Sequence, residues 1–168
     1  MNTLEAIRSR RSIRKYQAGA PVSKEDIRQI LEAAMMAPSA CNTRPWEFVV
    51  VENRDTMQAL HECHPYTSML STASLVIVVC ARPDLQNGIA EGFFPQDCGA
   101  ATQNILLAAQ ELGYGTCWCG VYPSEERSNA IREILDVTSV PFCLIALGVA
   151  DEAPAARGFY DEERVKWM

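Results

Sequence analysis

Residues Leu75–Ala81 form the most apolar run of the chain, LVIVVCA, seven residues without a polar or charged side chain. Apolar side chains at every position, rather than at every second one, are typical of a strand that is covered on both faces. A membrane-spanning helix needs about 20 apolar residues, so this run is too short to cross a bilayer. The run therefore predicts a central, fully buried strand.

Strand and helix patterns mix irregularly along the rest of the chain. Aromatic and β-branched residues predict three more strands, at Trp46–Val51, Thr116–Tyr122 and Pro141–Val149. Helices are predicted over residues 2–9, from Ser23 to Pro38, over 55–63 and 96–112, and from Ser124 onward. The elements therefore lack a regular strand–helix–strand rhythm.

The composition limits the classes of function. With 168 residues, of which 48% are hydrophobic and 21% charged, we expect one globular domain over residues 1–168 with a sizeable core. A net charge of −6 argues against a broad electrostatic surface for nucleic acid. Seven cysteines without a recognisable signal peptide favour reduced thiols in the cytoplasm over a secreted disulfide framework. We expect neither a nucleic-acid partner nor a membrane.

Several common catalytic motifs are missing or incomplete. Gly113-x-Gly115 has Trp118 where the dinucleotide-binding fingerprint needs a third glycine, and the chain has neither a Walker A loop nor a GxSxG serine. The segment HECH at residues 61–64, together with Cys117-x-Cys119, contains zinc-ligand residue types and leaves a metal site as an alternative. Because these are not common zinc spacings, we expect buried, reduced cysteines, a solvent-exposed histidine pair and no metal.

Positive charge is concentrated near the N-terminus. Five of the 15 Lys and Arg residues lie within residues 1–16, where Glu5 is the only acid. One interpretation is structural, since cations after the end of a helix offset the negative end of its dipole. The other is functional. In an extended segment Arg10, Ser12 and Arg14 point to one side, where guanidinium groups and a hydroxyl can bind a small anion such as phosphate.

Four segments of the sequence carry a family resemblance. They are RRSIRKY at residues 10–16, APSACNTRPWEFVVV at 37–51, LGYGTCWCG at 112–120 and RxxYDEERV at 157–165. Together, and in this order, they resemble the FMN-dependent nitroreductase family in its short form. The resemblance covers nearly the whole chain. It implies an α+β fold, with an antiparallel-rich mixed sheet packed among helices, and a homodimer with FMN sites at the subunit interface and a C-terminal tail extending onto the partner.

The resemblance also implies roles for individual residues. Arg10 and Ser12 hold the FMN phosphate or ribityl chain, Arg157 completes this clamp, and Arg14 lies near the pyrimidine end of the flavin. The segment from Pro38 to Asn42 covers the flavin from the partner subunit. The full set of cofactor-binding residues is then Arg10, Arg11, Ser12, Arg14, Pro38, Ser39, Ala40, Asn42, Cys119, Gly120 and Arg157.

Two of these residues lie on the expected strand beside the flavin ring. There the resemblance assigns the backbone N–H of Cys119 to flavin N5, with Gly120 permitting close approach. The expected cofactors are FMN and a nicotinamide donor, NADH or NADPH. The implied activity is ping-pong reduction of nitroaromatics, quinones or similar flat acceptors, without a dedicated catalytic side chain. A specialised flavin enzyme with one metabolic substrate and a non-catalytic FMN sensor or store are the alternatives.

Overall fold

The computed structural model describes residues 2–155 and 157–168. The helices are α1 (Thr3–Ser9), α2 (Lys24–Met35), α3 (Arg54–Glu62), α4 (Phe94–Glu111) and α5 (Glu125–Leu135). The strands are β1 (Trp46–Val51), β2 (Leu75–Ala81), β3 (Gly115–Gly120) and β4 (Val140–Gly148). They form a sheet in the order β1-β2-β4-β3, with every neighbouring pair antiparallel. The expected α+β fold with an antiparallel-rich sheet is thus confirmed.

Strand β2 occupies the centre of this sheet, as its apolar run predicts. Alternate residues enter two separate cores because successive side chains of a strand point to opposite faces. Val76, Val78 and Cys80 join residues of α3 and α5 on one face. Leu75, Ile77, Val79 and Ala81 join residues of α2 and α4 on the other. Burial of each of these aliphatic side chains stabilises the fold by about 1.5–3 kcal/mol, so β2 is a main source of stability for both layers.

Polar side chains cap the helices where the sequence predicts it. Asn2 and Glu5 form a reciprocal capping box at the start of α1, and Ser23 accepts a hydrogen bond from the Asp26 N–H at the start of α2. Helix α4 begins at Phe94, two residues before the predicted start, because Pro95 is favourable in a first helical turn. Helix α1 ends at Ser9, where Arg10 forms its C-cap and donates its backbone N–H to the Ala6 carbonyl, so the arginine segment follows the helix directly.

Strand β3 ends earlier than predicted. The N–H groups of Val121 and Tyr122 both donate to the Phe142 carbonyl, at 3.1 and 3.0 Å. Two residues then oppose one, which interrupts the regular ladder, as in a β-bulge. Gly120 is therefore the last residue of β3.

All seven cysteines are free thiols. The expected solvent-exposed histidine pair is wrong for His64, whose side chain is buried, while His61 is half-buried. Within residues 2–155 and 157–168, His, Cys, Asp and Glu side chains nowhere gather in threes with a geometry suited to a metal ion. In the same part of the chain, every helix is too short or too polar to span a membrane.

Candidate functional site

The N-terminal arginine segment lies along the outer edge of β3. The Ile13 N–H donates to the Thr116 carbonyl at 2.8 Å, and Ser12 pairs with Thr116 in a parallel bridge. Ile13 is buried, and a Cβ placed on Gly115 would lie 2.9 Å from three of its side-chain atoms. Glycine at position 115 therefore permits the segment to pack against the strand, which turns the flanking residues Ser12 and Arg14 to the opposite side.

The segment that follows β4 holds the arginine segment from its other side. The Gln17 N–H donates to the Val149 carbonyl and the Asp151 N–H to the Lys15 carbonyl, each at 2.9 Å. The Glu152 carboxylate accepts hydrogen bonds from the N–H groups of Arg14 and Lys15. Contacts from a part of the chain about 135 residues away thus fix the extended conformation that the sequence predicts for residues 10–16.

Both ends of the chain line a cavity of about 540 Å³. Its lining includes Arg10, Arg11, Ser12, Arg14, Glu152 and Arg157. We refer to it as the arginine cavity. Four guanidinium groups against one carboxylate make its lining strongly cationic. The structure therefore brings together five of the sequence-predicted residues, including Arg157 from the opposite end of the chain.

Arg11 has a structural part in this arrangement. Its Nε donates to the Ala155 carbonyl at 3.2 Å, and its Nη1 donates to the Arg10 carbonyl. Since two of its five donors are bound to backbone carbonyl groups, Arg11 ties the N-terminal and C-terminal segments to each other. Glu152 supports the same arrangement, and no sequence pattern distinguishes it from other acids after a strand.

Two thiols lie on the buried face of β3, next to the arginine segment. The pKa of the Cys117 thiol is lowered to about 7, because the neighbouring Cys119 can donate to the thiolate and the Arg14 and Arg10 guanidinium groups add positive charge. The interaction with Cys117, followed by burial, raises the pKa of Cys119. The two neighbouring thiols therefore differ in acidity, and Cys117 is the more acidic of the pair.

The family resemblance assigns the Cys119 N–H to flavin N5, but in the structure this N–H does not face the open outer edge of β3. The Thr116 carbonyl accepts a hydrogen bond from the Ile13 N–H, and the Gly120 carbonyl accepts one from the His64 ring. Both carbonyl groups therefore point away from β4. The Val121 N–H donates to β4. Because backbone groups alternate along a strand, the N–H of Cys119 points to β4 and that of Gly120 points outward. Gly120 is therefore the residue with an outward N–H.

Gly120 also leaves space beside the strand. A Cβ placed there would meet no atom within 4 Å, and the residue is exposed. The Cys119 side chain, by contrast, is buried, and its thiol lies 3.6 Å from the Tyr66 carbonyl oxygen. The outer edge at Gly120 is thus open to a planar group, whereas Cys119 contributes to the core.

The loop from Pro38 to Arg44 has an unusual backbone. Cys41, Asn42 and Arg44 have φ values of 50°, 56° and 50°, in the left-handed region that non-glycine residues adopt at a cost. Hydrogen bonds compensate. The Ser39 hydroxyl accepts from the Arg44 N–H at 2.9 Å, and the Asn42 side-chain oxygen accepts from the Arg44 Nε at 3.1 Å. Ser39 and Asn42 therefore stabilise the loop itself.

A buried carboxylate attaches this loop to the fold. Asp97, in the first turn of α4, accepts a hydrogen bond from the Ala40 N–H at 3.0 Å through one oxygen. Its other oxygen accepts from the Gln86 side chain at 2.9 Å, and Gln86 in turn accepts from the Phe94 N–H. The loop is thus held rigidly in a conformation that is costly in isolation.

The loop and the arginine cavity lie on opposite edges of the sheet. The loop leads into β1, whereas the cavity borders β3, and three strand spacings of about 4.8 Å separate these edges. One chain therefore does not bring Pro38, Ser39, Ala40 and Asn42 to the residues of the cavity.

The sequence and the fold both match known proteins. A family model described as the nitroreductase family matches residues 7–149. The chain belongs to the nitroreductase family. The expected resemblance is thus confirmed. A relative from Methanothermobacter thermautotrophicus, provisionally named NADH dehydrogenase/NAD(P)H nitroreductase, is 46% identical over 172 residues, which cover 99% of this chain and 88% of the relative.

Solved structures of other nitroreductases have the same fold. An FMN-dependent nitroreductase from Clostridium difficile R20291 superposes with a TM-score of 0.87 at 33% identity, covering 98% of each chain. A protein from Desulfovibrio desulfuricans, provisionally named a nitroreductase and solved in complex with FMN, superposes with a TM-score of 0.84 at 31% identity. The superposition covers 100% of this chain and 97% of the Desulfovibrio chain.

Proposed function

We propose that this nitroreductase-family chain is an FMN-dependent NAD(P)H oxidoreductase that binds the FMN phosphate in the arginine cavity. The observation that carries the proposal is the convergence of Arg10, Arg14 and Arg157 with the Ser12 hydroxyl. A phosphate monoester fits this donor set because guanidinium groups bind its oxygens with pairs of charge-assisted hydrogen bonds. The volume of about 540 Å³ also lies within the range of about 300–1,000 Å³ typical of small-molecule sites.

The residues along β3 suit the remainder of the cofactor. When bound, FMN supplies N5 as a hydride acceptor and passes two electrons to a second substrate. Arg14 offers a fixed positive charge that favours negative charge at the pyrimidine end of the flavin. Gly120 provides an outward N–H and an open surface beside it. This chain then binds and orients the cofactor, and no side chain need act as a general acid.

We further propose that the functional unit is a homodimer. Pro38, Ser39, Ala40 and Asn42 lie too far from the arginine cavity of their own chain to cover the same flavin. In a dimer, the rigid loop of one chain reaches the cavity of the other. The exposed aromatic side chains of Phe159, Tyr160 and Trp167 in the C-terminal tail offer apolar contact area for that partner. Light scattering after size-exclusion chromatography tests this, and a strictly monomeric holoprotein contradicts it.

The proposed reaction consists of two half-reactions at one site, for which bound FMN would supply the two-electron chemistry. With FMN held there, NADH or NADPH would donate a hydride and leave as the oxidised nicotinamide, and a flat electron-poor acceptor such as a nitroaromatic or a quinone would then take up the two electrons at the same site. This order predicts ping-pong kinetics, with parallel lines in double-reciprocal plots. We place the reaction in the cytoplasm, where both nicotinamide donors are available and the free thiols stay reduced.

The decisive experiment examines the purified protein for a flavin spectrum and identifies the released cofactor by mass. Anaerobic mixing with NADH or NADPH should bleach the flavin, and oxidised acceptors should restore its absorbance. Bound FMN that stays oxidised with both donors contradicts the proposed enzyme and favours a sensor or store. A panel of acceptors then compares kcat/KM values. Preference for one acceptor by orders of magnitude contradicts broad specificity and favours a dedicated metabolic substrate.

A further inference from the structure

His64 is a buried histidine that the arginine cavity does not include. It lies in the turn after α3 and is only 1% exposed. Its Nε2 lies 2.8 Å from the Gly120 carbonyl oxygen, and its Nδ1 lies 3.3 Å from the Tyr66 backbone nitrogen. A carbonyl can only accept and an N–H can only donate, so these partners define a neutral ring with its proton on Nε2.

The backbone around His64 is fixed as well. The Thr67 hydroxyl donates to the His64 carbonyl at 2.7 Å, and the buried Cys119 thiol donates to the Tyr66 carbonyl at 3.6 Å. The turn at residues 64–67 is therefore attached both to itself and to the end of β3. A ring fixed at both nitrogens and at its own backbone has little freedom to move.

Gly120 needs such a partner because of its place in the sheet. It is the last residue of an edge strand, and its N–H and carbonyl point away from β4. The parallel bridge with the N-terminal segment lies at Thr116, four residues earlier, so it does not extend to the end of the strand. A glycine at a strand end without a neighbouring strand has wide conformational freedom. The His64 ring takes the place of the missing strand neighbour.

We propose that His64 is a positioning residue that fixes the Gly120 backbone so that the Gly120 N–H is held toward flavin N5. The inference rests on the proposed function, because it assigns a purpose to the orientation of Gly120 beside FMN. His64 does not touch the reacting atoms. It acts through one hydrogen bond to the residue that does, at the opposite end of β3 from the phosphate-binding arginines.

Two substitutions separate the hydrogen bond from the packing of the ring. His64→Leu introduces an apolar side chain of similar size and removes the donor. His64→Gln instead provides an amide N–H that reaches the position of Nε2. His64→Asn keeps polarity with a shorter reach and replaces the Leu variant if that fails to fold. Asn53→Ala removes the N-cap of α3 and serves as a control for lost stability without any contact with Gly120.

The first measurement is hydrogen exchange at the Val121 amide in the apoprotein, which does not depend on turnover; this N–H belongs to the same peptide unit as the Gly120 carbonyl and donates to the Phe142 carbonyl at 3.1 Å. We expect exchange at Val121 to accelerate in the Leu variant and to remain slow in the Gln and Asn53→Ala variants. The second measurement is the anaerobic rate of flavin reduction by NADH or NADPH at saturating FMN. We expect a decrease of about 10- to 100-fold in the Leu variant, as for a misplaced contact at a reacting centre, with substantial recovery in the Gln variant.

The outcomes distinguish this inference from the proposed function. A wild-type protein that does not bind FMN contradicts the proposed function and, with it, this role of His64. FMN binding with unchanged reduction rates in the Leu variant contradicts the positioning role alone. Equal loss of rate in the Leu and Asn53→Ala variants also contradicts it, because stability rather than the Gly120 hydrogen bond would then explain the effect.

Discussion

Replacing Arg10 by alanine tests the phosphate assignment most directly. The side chain lines the arginine cavity and is half-buried, so its charge is screened less by solvent than that of the exposed Arg157. A hydrogen bond to a charged group contributes about 1.5–3 kcal/mol, which corresponds to an increase in Kd of about 10- to 150-fold. We expect Arg10→Ala to lie toward the upper part of this range and Arg157→Ala toward the lower part.

The assay compares two ligands that differ only in the phosphate. Titration of apoprotein with FMN and with riboflavin, followed by flavin fluorescence, gives both Kd values for each variant. Because the arginines are assigned to the phosphate, FMN binding should weaken while riboflavin binding stays the same. The double variant should lose less binding free energy than the two single losses together predict, since both guanidinium groups would contact one dianion under this assignment.

Arg8→Ala provides the matched control. Arg8 is exposed in the last turn of α1, near the cavity in sequence but absent from its lining. Its removal changes the net charge by the same amount and should leave the Kd for FMN within about twofold, as expected for an exposed charge. An equal effect of Arg8→Ala and Arg10→Ala, or an equal loss of riboflavin and FMN affinity, would refute the reasoning.

Three further predictions concern stability. Gly115→Ala places a methyl group 2.9 Å from Ile13 side-chain atoms, so the free energy of unfolding should fall by about 1–3 kcal/mol in a denaturant titration; an unchanged midpoint contradicts the close contact. Asp97→Ala removes the acceptor for the half-buried Ala40 N–H and the buried Gln86 amide, and should cost about 1–3 kcal/mol for each, with faster proteolysis within residues 39–44; resistance equal to wild type contradicts its role. Burial raises the pKa of Cys80 to about 11 and of Cys98 to about 12, above the usual 9.0. The folded chain then keeps protons that the unfolded chain has lost, so the free energy of unfolding should fall as the pH rises from about 9 to 12. Alanine at either position should reduce that fall, and a Tm that stays constant from pH 8 to 11 contradicts the prediction.

Local patterns in the sequence predict the parts of the fold that depend on near neighbours. The unbroken apolar run of β2, the caps at Asn2 and Ser23 and the extended arginine segment each follow from side chains a few residues apart. The boundaries that differ, at Phe94 and Gly120, depend on a proline in a first turn and on a shared carbonyl across the sheet. Such details shift an element by two residues without changing its identity.

The candidate site is different, because its parts are distant in the chain. The alternation of side chains along an extended segment indicates that Arg10, Ser12 and Arg14 share one side, but only the tertiary structure brings Arg157 into the same cavity. Only the strand pairing directs the Gly120 N–H outward and that of Cys119 into the sheet. Likewise, the burial of His64 follows from the packing of the turn at residues 64–67 against the end of β3. The sequence by itself determined the elements and the chemical types available to the site, since these depend on local periodicity. Which of those groups meet was decided by non-local hydrogen bonds and packing, which no local pattern encodes.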